Sequence, residues 1–380
     1  MIEFNKKLIF EKFFRDILNF FLLMLGSVSL IVWVIQAVNF LDFVTEDGHG
    51  LLIYFKYTIL NLPKIISRIT PIIFFISIFY IINKYEDNNE MKIFWLTGVQ
   101  RKEFIKKMIN FTLMITIVLS ILQIFLVPNS QYKARTYIQD SNIDFFPSLI
   151  KANKFIDTVK DLTIYIDEKI DESTYKNIFL KDVKKDGSTK IIYARIGELI
   201  NNENERSLRL GEGKIINVNN NNITEFDFKK TNFDLSNYLT KSIIDFKIQE
   251  KSTSSLVDCY LNYSILEKKE QYYDVLNCND TASKEIQVEL YKRFIKPIFL
   301  IILALTSSFL LFSSKENNSH KKHRVLIFFS GIIFVIFSEF SNSLSGQSIF
   351  ILLILSIMPI IISLIQYFLL IRENGLQISK

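Results

Sequence analysis

Six long apolar runs divide the chain: Ile17–Phe40, Ile65–Ile82, Met108–Val127, Pro297–Phe312, Val325–Leu344 and Ile349–Ile371. Each approaches the length that a helix needs to cross a hydrocarbon core of about 30 Å. Between the third and fourth runs, Pro128 to Lys296 is polar and its period changes. Short β-like stretches follow one another there: LTIYI (Leu162–Ile166), NIFLKDV (Asn177–Val183), KIIYARI (Lys190–Ile196), SLRLGEGKII (Ser207–Ile216) and ITEFDF (Ile223–Phe228). Evenly spaced strands predict a sandwich, jelly roll or open barrel. Gly187, Gly197, Gly211, Gly213 and the run Asn219–Asn222 are the expected hairpin turns. After the strands, Lys284–Leu300 reads as a helix entering the fourth span, with Pro297 near the first apolar turn, where a missing N–H costs least.

The pattern predicts an α-helical membrane protein with six transmembrane helices and an inserted all-β, jellyroll-like domain. Residues 1–128 carry helices one to three, 129–285 the β-domain with a helical return segment, and 286–380 helices four to six. Of 380 residues, 22% are charged, more than a bundle of spans alone would carry, which agrees with a water-facing insert. The first run is too long for a cleavable signal and lacks a small-x-small site, so it is expected to stay in the mature chain. Cys259 and Cys278 both fall in the insert, and their spacing fits a disulfide or two thiols equally.

Charge sets the expected topology, because cationic segments resist translocation. Lys6, Lys7, Lys12 and Arg15 precede the first span. Lys84, Lys92, Arg101, Lys102, Lys106 and Lys107 lie between the second and third, and KENNSHKKHR (Lys315–Arg324) lies between the fourth and fifth. These three segments are expected in the cytoplasm and the β-domain outside. The clusters also explain the net charge of +6, leaving no support for a nucleic-acid partner. The insert has no His, and no carboxylates with acid-base or metal-ligand spacing. GEGKII (Gly211–Ile216) lacks the Ser or Thr of a phosphate loop. No catalytic residue, metal or cofactor is therefore expected in this chain.

One segment between the second and third spans stands apart: DNNEMKIFWLTGVQRKEF, Asp87–Phe104. Asp87 and Glu90 have the spacing of a capping box, and Gly98 is a natural left-handed stop. Met91, Ile93, Phe94, Trp95 and Leu96 give this short helix more apolar surface than one buried stripe requires. Two readings fit: an interfacial helix among headgroups, or a coupling helix seated in a cytoplasmic protein.

At this point the residues resemble a family. NLPKIISRITPIIFF with Pro63 and Pro71, NNEMKIFWLTGVQ, LTIYIDEKIDESTYKNIFLKDV, YARIGELI, EFDFKKTNFDLSNY and VELYKRFIKPI occur in an order similar to the LptF/LptG permease subunits of the lipopolysaccharide-export ABC transporter. WVIQAVNFLDFV (Trp33–Val44) leans towards the F subunit. The resemblance implies a bacterial inner-membrane permease with cytoplasmic termini and a periplasmic β-domain. It implies a heterodimer with a second LptF/LptG-type permease, over two copies of a cytoplasmic ABC ATPase that binds the ATP and Mg. A periplasmic bridge protein, a single-span LptC-like partner, membrane lipids and lipopolysaccharide complete the implied partners.

Within that resemblance Glu90, Phe94, Trp95, Gly98 and Arg101 are the expected ATPase-coupling residues. The first and fifth spans are the expected lateral gate, with Trp33, Gln36, Glu339 and Asn342 as candidates. The first span departs from the family in having no Lys or Arg in its outer half. Lys56, Lys64, Arg68, Lys292, Arg293 and Lys296 stand near that interface instead, and Arg68, Lys292, Arg293 and Lys296 are the expected lipid-headgroup contacts. The bland alternative pairs them with ordinary phospholipid or with Glu285 and Glu289. The competing functional reading is a membrane-anchored receptor or scaffold without transport activity; its inner segments are too short to fold an output module.

Overall fold

In a bilayer a chain must satisfy its backbone internally, so apolar runs of this length become helices. A computed structural model describes residues 2–41, 51–140, 152–156, 162–171, 173–183, 188–202, 205–219, 222–234, 247–261, 280–312 and 320–376. Among these, six helices are long and apolar enough to cross a membrane: Lys6–Asn39, Leu51–Asp87, Arg101–Ile138, Ala282–Phe312, His320–Leu344 and Ile349–Arg372. A six-stranded antiparallel sheet lies between the third and fourth. The fold is an α-helical membrane protein with an inserted β-domain. The chain forms two compact units: Met1–Ile35, Leu60–Tyr132 and Lys247–Lys380 in one, Gln36–Ile59 and Lys133–Phe246 in the other.

The first unit is a helical bundle whose core is rich in aromatic side chains. Phe13, Ile17, Phe74, Ile78, Ile82, Phe94, Phe104, Met108 and Leu300 are among its buried centre. The spans are unequally enclosed. In their most apolar stretches 61% of the second and 72% of the fourth is buried, against 17% of the first, 22% of the fifth and 17% of the sixth. The outer three therefore present Leu, Ile and Phe side chains that lipid or a partner helix must cover.

Irregular turns punctuate the described spans, two of them beside a cationic cluster. A π-helical turn, Leu122–Leu126, interrupts the third. The fourth is not the continuous helix expected around Pro297: a helix ends at Phe294, Lys296–Ile298 forms a 3₁₀ turn, and a second helix runs Phe299–Ser308. Proline cannot donate the missing hydrogen bond and its ring crowds the preceding turn, so the break falls there.

The sheet of the second unit comprises β1 (Lys154–Ile156), β2 (Leu162–Lys169), β3 (Thr174–Val183), β4 (Thr189–Asn202), β5 (Glu205–Asn219) and β6 (Asn222–Asp234), paired in chain order. Asn219 pairs with Asn222, so the Asn run does mark a hairpin. Gly197, Gly211 and Gly213, expected at turns, lie inside strands instead, and Gly187 falls outside the described residues. A Cβ on Gly197 would collide with the Ile178 side chain, and one on Gly213 with the Tyr193 carbonyl. Close packing, not chain reversal, is what selects glycine at these two positions.

A row of distortions crosses this sheet. Asn177 and Glu212 have positive φ, 51° and 48°. Cross-strand pairing skips Asp167, Asn177, Arg195 and Glu212, which all fall on one line. The inward parity of the side chains changes across that line: Tyr175 then Ile178 and Leu180 in β3; Ile192 and Ala194 then Gly197 in β4. Shifting the alternation by one residue in adjacent strands at the same level keeps both halves of each strand facing one apolar core. That core includes Ile164, Ile166, Tyr175, Leu180, Ile192, Leu208, Leu210 and Phe233.

Candidate functional site

The short helix between the second and third spans is Glu90–Leu96. Its start differs from the capping box expected at Asp87. The preceding helix continues through Asp87, Asn89 takes the left-handed conformation at φ 60°, and no side chain caps the new helix. Asn tolerates that conformation, so the turn is made by the backbone and Asp87 is free to take another role. Asp87 accepts two hydrogen bonds from the Arg324 guanidinium, at 2.7 and 3.1 Å. The end of the helix is as expected: Gly98 has φ 74°. Gly98 N–H donates to the Trp95 carbonyl and Val99 N–H to the Phe94 carbonyl, both at 3.0 Å, which is a Schellman closure.

The side chains of this helix divide sharply. Met91 and Phe94 point into the bundle, Phe94 with 1% exposure. Its ring centroid lies 5.4 Å from that of Phe10, 5.7 Å from Phe13 and 5.6 Å from Phe104. Ile93 is exposed, and Leu96 is 85% exposed. Trp95 is half-buried beneath the Arg101 guanidinium, 5.8 Å away. Glu90 accepts from Lys12 at 3.3 Å, and Lys6 donates to the Gly98 carbonyl at 2.9 Å and to Glu103 at 3.4 Å. Three sets of contacts therefore tie the start of the first span to this helix.

At the other end of the second span a cationic cluster forms. Arg293 is 1% exposed, and each of its three guanidinium nitrogens meets a protein acceptor. Nε bonds Glu289 at 3.0 Å, one terminal nitrogen bonds Thr253 Oγ1 at 2.8 Å and the Lys251 carbonyl at 3.2 Å, and the other bonds the Gln249 carbonyl at 3.2 Å. Thr253 in turn donates to the Ile124 carbonyl, within the π-helical turn of the third span. Arg293 thus fastens the fourth span to the return segment and is not available to a lipid phosphate. Lys292 pairs with Glu289 at 3.1 Å, and the buried Lys296 with Glu339 of the fifth span at 2.6 Å. Lys64 lies in electrostatic reach of Lys292 and Lys247, and Arg68 in reach of Lys296. Arg68 is exposed.

The gate candidates sit on two spans. Trp33 and Gln36 are half-buried on the first; on the fifth, Glu339 holds Lys296, and Asn342 Oδ1 is buried without a hydrogen-bond partner. Cys259 is disulfide-bonded, and Cys278 lies outside the described residues, as does His49. Among the described residues no group of three His, Cys, Asp or Glu side chains is placed to hold a metal.

The family described as lipopolysaccharide export system permease LptF/LptG matches residues 12–373, nearly the whole chain. The chain belongs to the LptF/LptG permease family. An uncharacterized protein of Rickettsia prowazekii (strain Madrid E), RP871, is 22% identical over 298 residues, covering 78% of this chain and 79% of its own length. As an LptF/LptG permease the chain is a multi-pass inner-membrane transporter subunit and not a catalyst. Three features of this permease escaped the sequence. Ile93 and Leu96, not Phe94, form the exposed tip of the short helix; their offset of three residues was a readable signal that they share a face. The Arg324–Asp87 bridge, spanning 237 positions, left no local sign. Nor did the backbone acceptors of Arg293, which no pattern of charges announces.

Proposed function

We propose that this permease is the membrane half of an ATP-driven lipopolysaccharide exporter, coupled to a separate cytoplasmic ATPase through the tip of the Glu90–Leu96 helix. The observation that carries the reading is the division of that helix into a buried base and a bare apolar tip, in a chain matched over residues 12–373 by this permease family. An exposed Leu beside an exposed Ile, on a helix fixed at both ends, is the anchor pattern that a groove in a partner recognises.

The same contacts supply a path for work. Phe94 packs on Phe10 and Phe13, Glu90 holds Lys12, and Lys6 holds Gly98. A push on Ile93 and Leu96 therefore moves the start of the first span with it. With the basic clusters in the cytoplasm and the β-domain in the periplasm, that motion narrows a cavity between the weakly enclosed first and fifth spans and those of a second LptF/LptG-type permease. ATP and Mg are bound by two ATPase copies. Lipopolysaccharide leaves the outer leaflet through the β-domain towards a periplasmic bridge protein, with a single-span partner alongside. Trp33–Val44 supports the F-type subunit. For headgroup phosphates the exposed Arg68 is the available contact; Arg293 is a fastener. Glu339, Asn342 and Trp33 are the proposed gate residues.

The test is co-purification of the ATPase with Ile93→Asp/Leu96→Asp. Loss of the ATPase with normal membrane insertion supports the reading. Retention of the ATPase together with wild-type release of lipopolysaccharide would sink it.

A further inference from the structure

A groove of about 750 Å³ runs between the second and fifth spans, and nothing in the export reading uses it. One wall is Ile76, Phe79, Tyr80 and Asn83, a single face of the second span at helical spacing; the other is Val325, Phe328 and Phe329 of the fifth. Where Gly331 meets the Phe75 ring, the two spans are in contact at one limit of the groove. The bidentate Arg324–Asp87 pair bridges them at the other. From Phe75 to Asp87 is about 18 Å at the rise of an α-helix, close to the ~15 Å depth of one hydrocarbon leaflet.

The charged limit of this groove is cationic. Lys84 and Arg324 line it with Asp87 as their single acid, and Lys321 follows on the same face of the fifth span, three residues before Arg324. Lys84 and Lys321 are exposed. Two polar atoms there are buried without a hydrogen-bond partner: Arg324 Nε, a donor, and Asn83 Oδ1, an acceptor. The amide of Asn83 already donates to the Phe79 carbonyl at 2.8 Å, which leaves its oxygen to accept. An apolar trough one leaflet deep, ending in an unused donor, an unused acceptor and surplus positive charge, matches one molecular class.

We propose that this groove binds an anionic glycerophospholipid of the leaflet at the His320 end of the fifth span. One acyl chain lies along Phe79, Tyr80, Phe328 and Phe329. The phosphate sits against Arg324 Nε, Lys84 and Lys321, and a headgroup hydroxyl donates to Asn83 Oδ1. The lipid is a resident ligand that fills the gap between the two spans; it is distinct from the exported glycolipid, and the proposal does not depend on the export reading.

The experiment is native mass spectrometry of the full-length protein in mild detergent, exchanged against equal amounts of phosphatidylglycerol and phosphatidylcholine with identical acyl chains. The expected result is roughly tenfold preferential retention of phosphatidylglycerol, the equivalent of ~1.4 kcal/mol. Lys84→Gln/Lys321→Gln, which leaves the Asp87–Arg324 pair intact, should reduce that preference to about twofold or less. Val325→Trp, at an exposed lining position, should expel both lipids, while Arg68→Gln, at the opposite end of the second span, should change nothing. Equal retention of the two lipids by the unmodified protein would overturn the proposal. So would an unchanged preference in Lys84→Gln/Lys321→Gln, displacement of phosphatidylglycerol by added lipopolysaccharide, or cross-linking of Val325 to a second permease copy in the assembled complex.

Discussion

At the Glu90–Leu96 helix the side chains that hold the segment, Met91 and Phe94, are different residues from those left bare, Ile93 and Leu96. Around Arg293, at the other end of the second span, a cation that the sequence offers as a ligand is instead one that holds the structure together. The difference is one of supply. An apolar helix seven residues long has more surface than its base can bury, so some remains for a partner. A cation taken out of water must instead have its donors met inside the protein, or the charge is destabilising. The apolar residues at the first place are thus left partly exposed and the charge at the second is satisfied, the reverse of what residue type suggests.

Breaking the second region should cost most. Arg293→Met leaves Glu289 with Lys292 alone and three acceptors unmet, and we expect a loss of about 3–5 kcal/mol, seen as failed accumulation or early thermal unfolding in detergent. Arg68→Gln in the same assay should lie within about 0.5 kcal/mol of the parent protein. Equal effects would erase the distinction between the fastener and the exposed cation. Phe94→Ala should be as damaging as a large core truncation elsewhere, about 3–5 kcal/mol, if the base of the short helix is core. An alanine there that leaves stability intact but abolishes ATPase binding would make Phe94 a docking residue after all.

What the sequence made legible follows from the same physics. Six spans and a strand-rich insert were readable because apolar length and strand spacing are local properties. Gly98 was readable as a helix stop for the same reason, since a left-handed residue has a chemical signature. The capping box at Asp87 was misread because its spacing was right but a left-handed Asn89 had taken over the turn and Arg324, 237 residues away, had taken the carboxylate. Gly197 and Gly213 were misread as turns because the requirement for small residues came from neighbouring strands. Of the coupling candidates, Phe94 is buried in the bundle, as a large aromatic side chain commonly is, whereas Leu96 on the same helix is left exposed. Whether a Lys or Arg near an interface meets lipid or protein depends on backbone carbonyls such as those of Gln249 and Lys251, which no one-dimensional pattern displays.

Smaller changes sharpen the contrast. Gly98→Ala keeps space for the added methyl group, since no atom stands within 4 Å, but places an L-residue at φ 74°. About 1–2 kcal/mol of destabilisation should follow, read as a lower unfolding temperature. Lys12→Gln removes an exposed ion pair with Glu90 and should change stability by less than about 1 kcal/mol. If the path from short helix to first span is real, however, that variant should uncouple ATP hydrolysis from lipid release more than it weakens ATPase binding. Equal ATP use per lipid released, in the variant and the parent, would show that the pair carries no work.

The most direct measurement places a photo-cross-linking amino acid at Leu96 and, separately, at Phe94 in the intact membrane. A groove on the ATPase should capture the probe at Leu96 and leave the probe at Phe94 attached only to segments of this chain. Capture of phospholipid alone at Leu96, in membranes that contain the ATPase, would contradict the assignment of this helix as the coupling element.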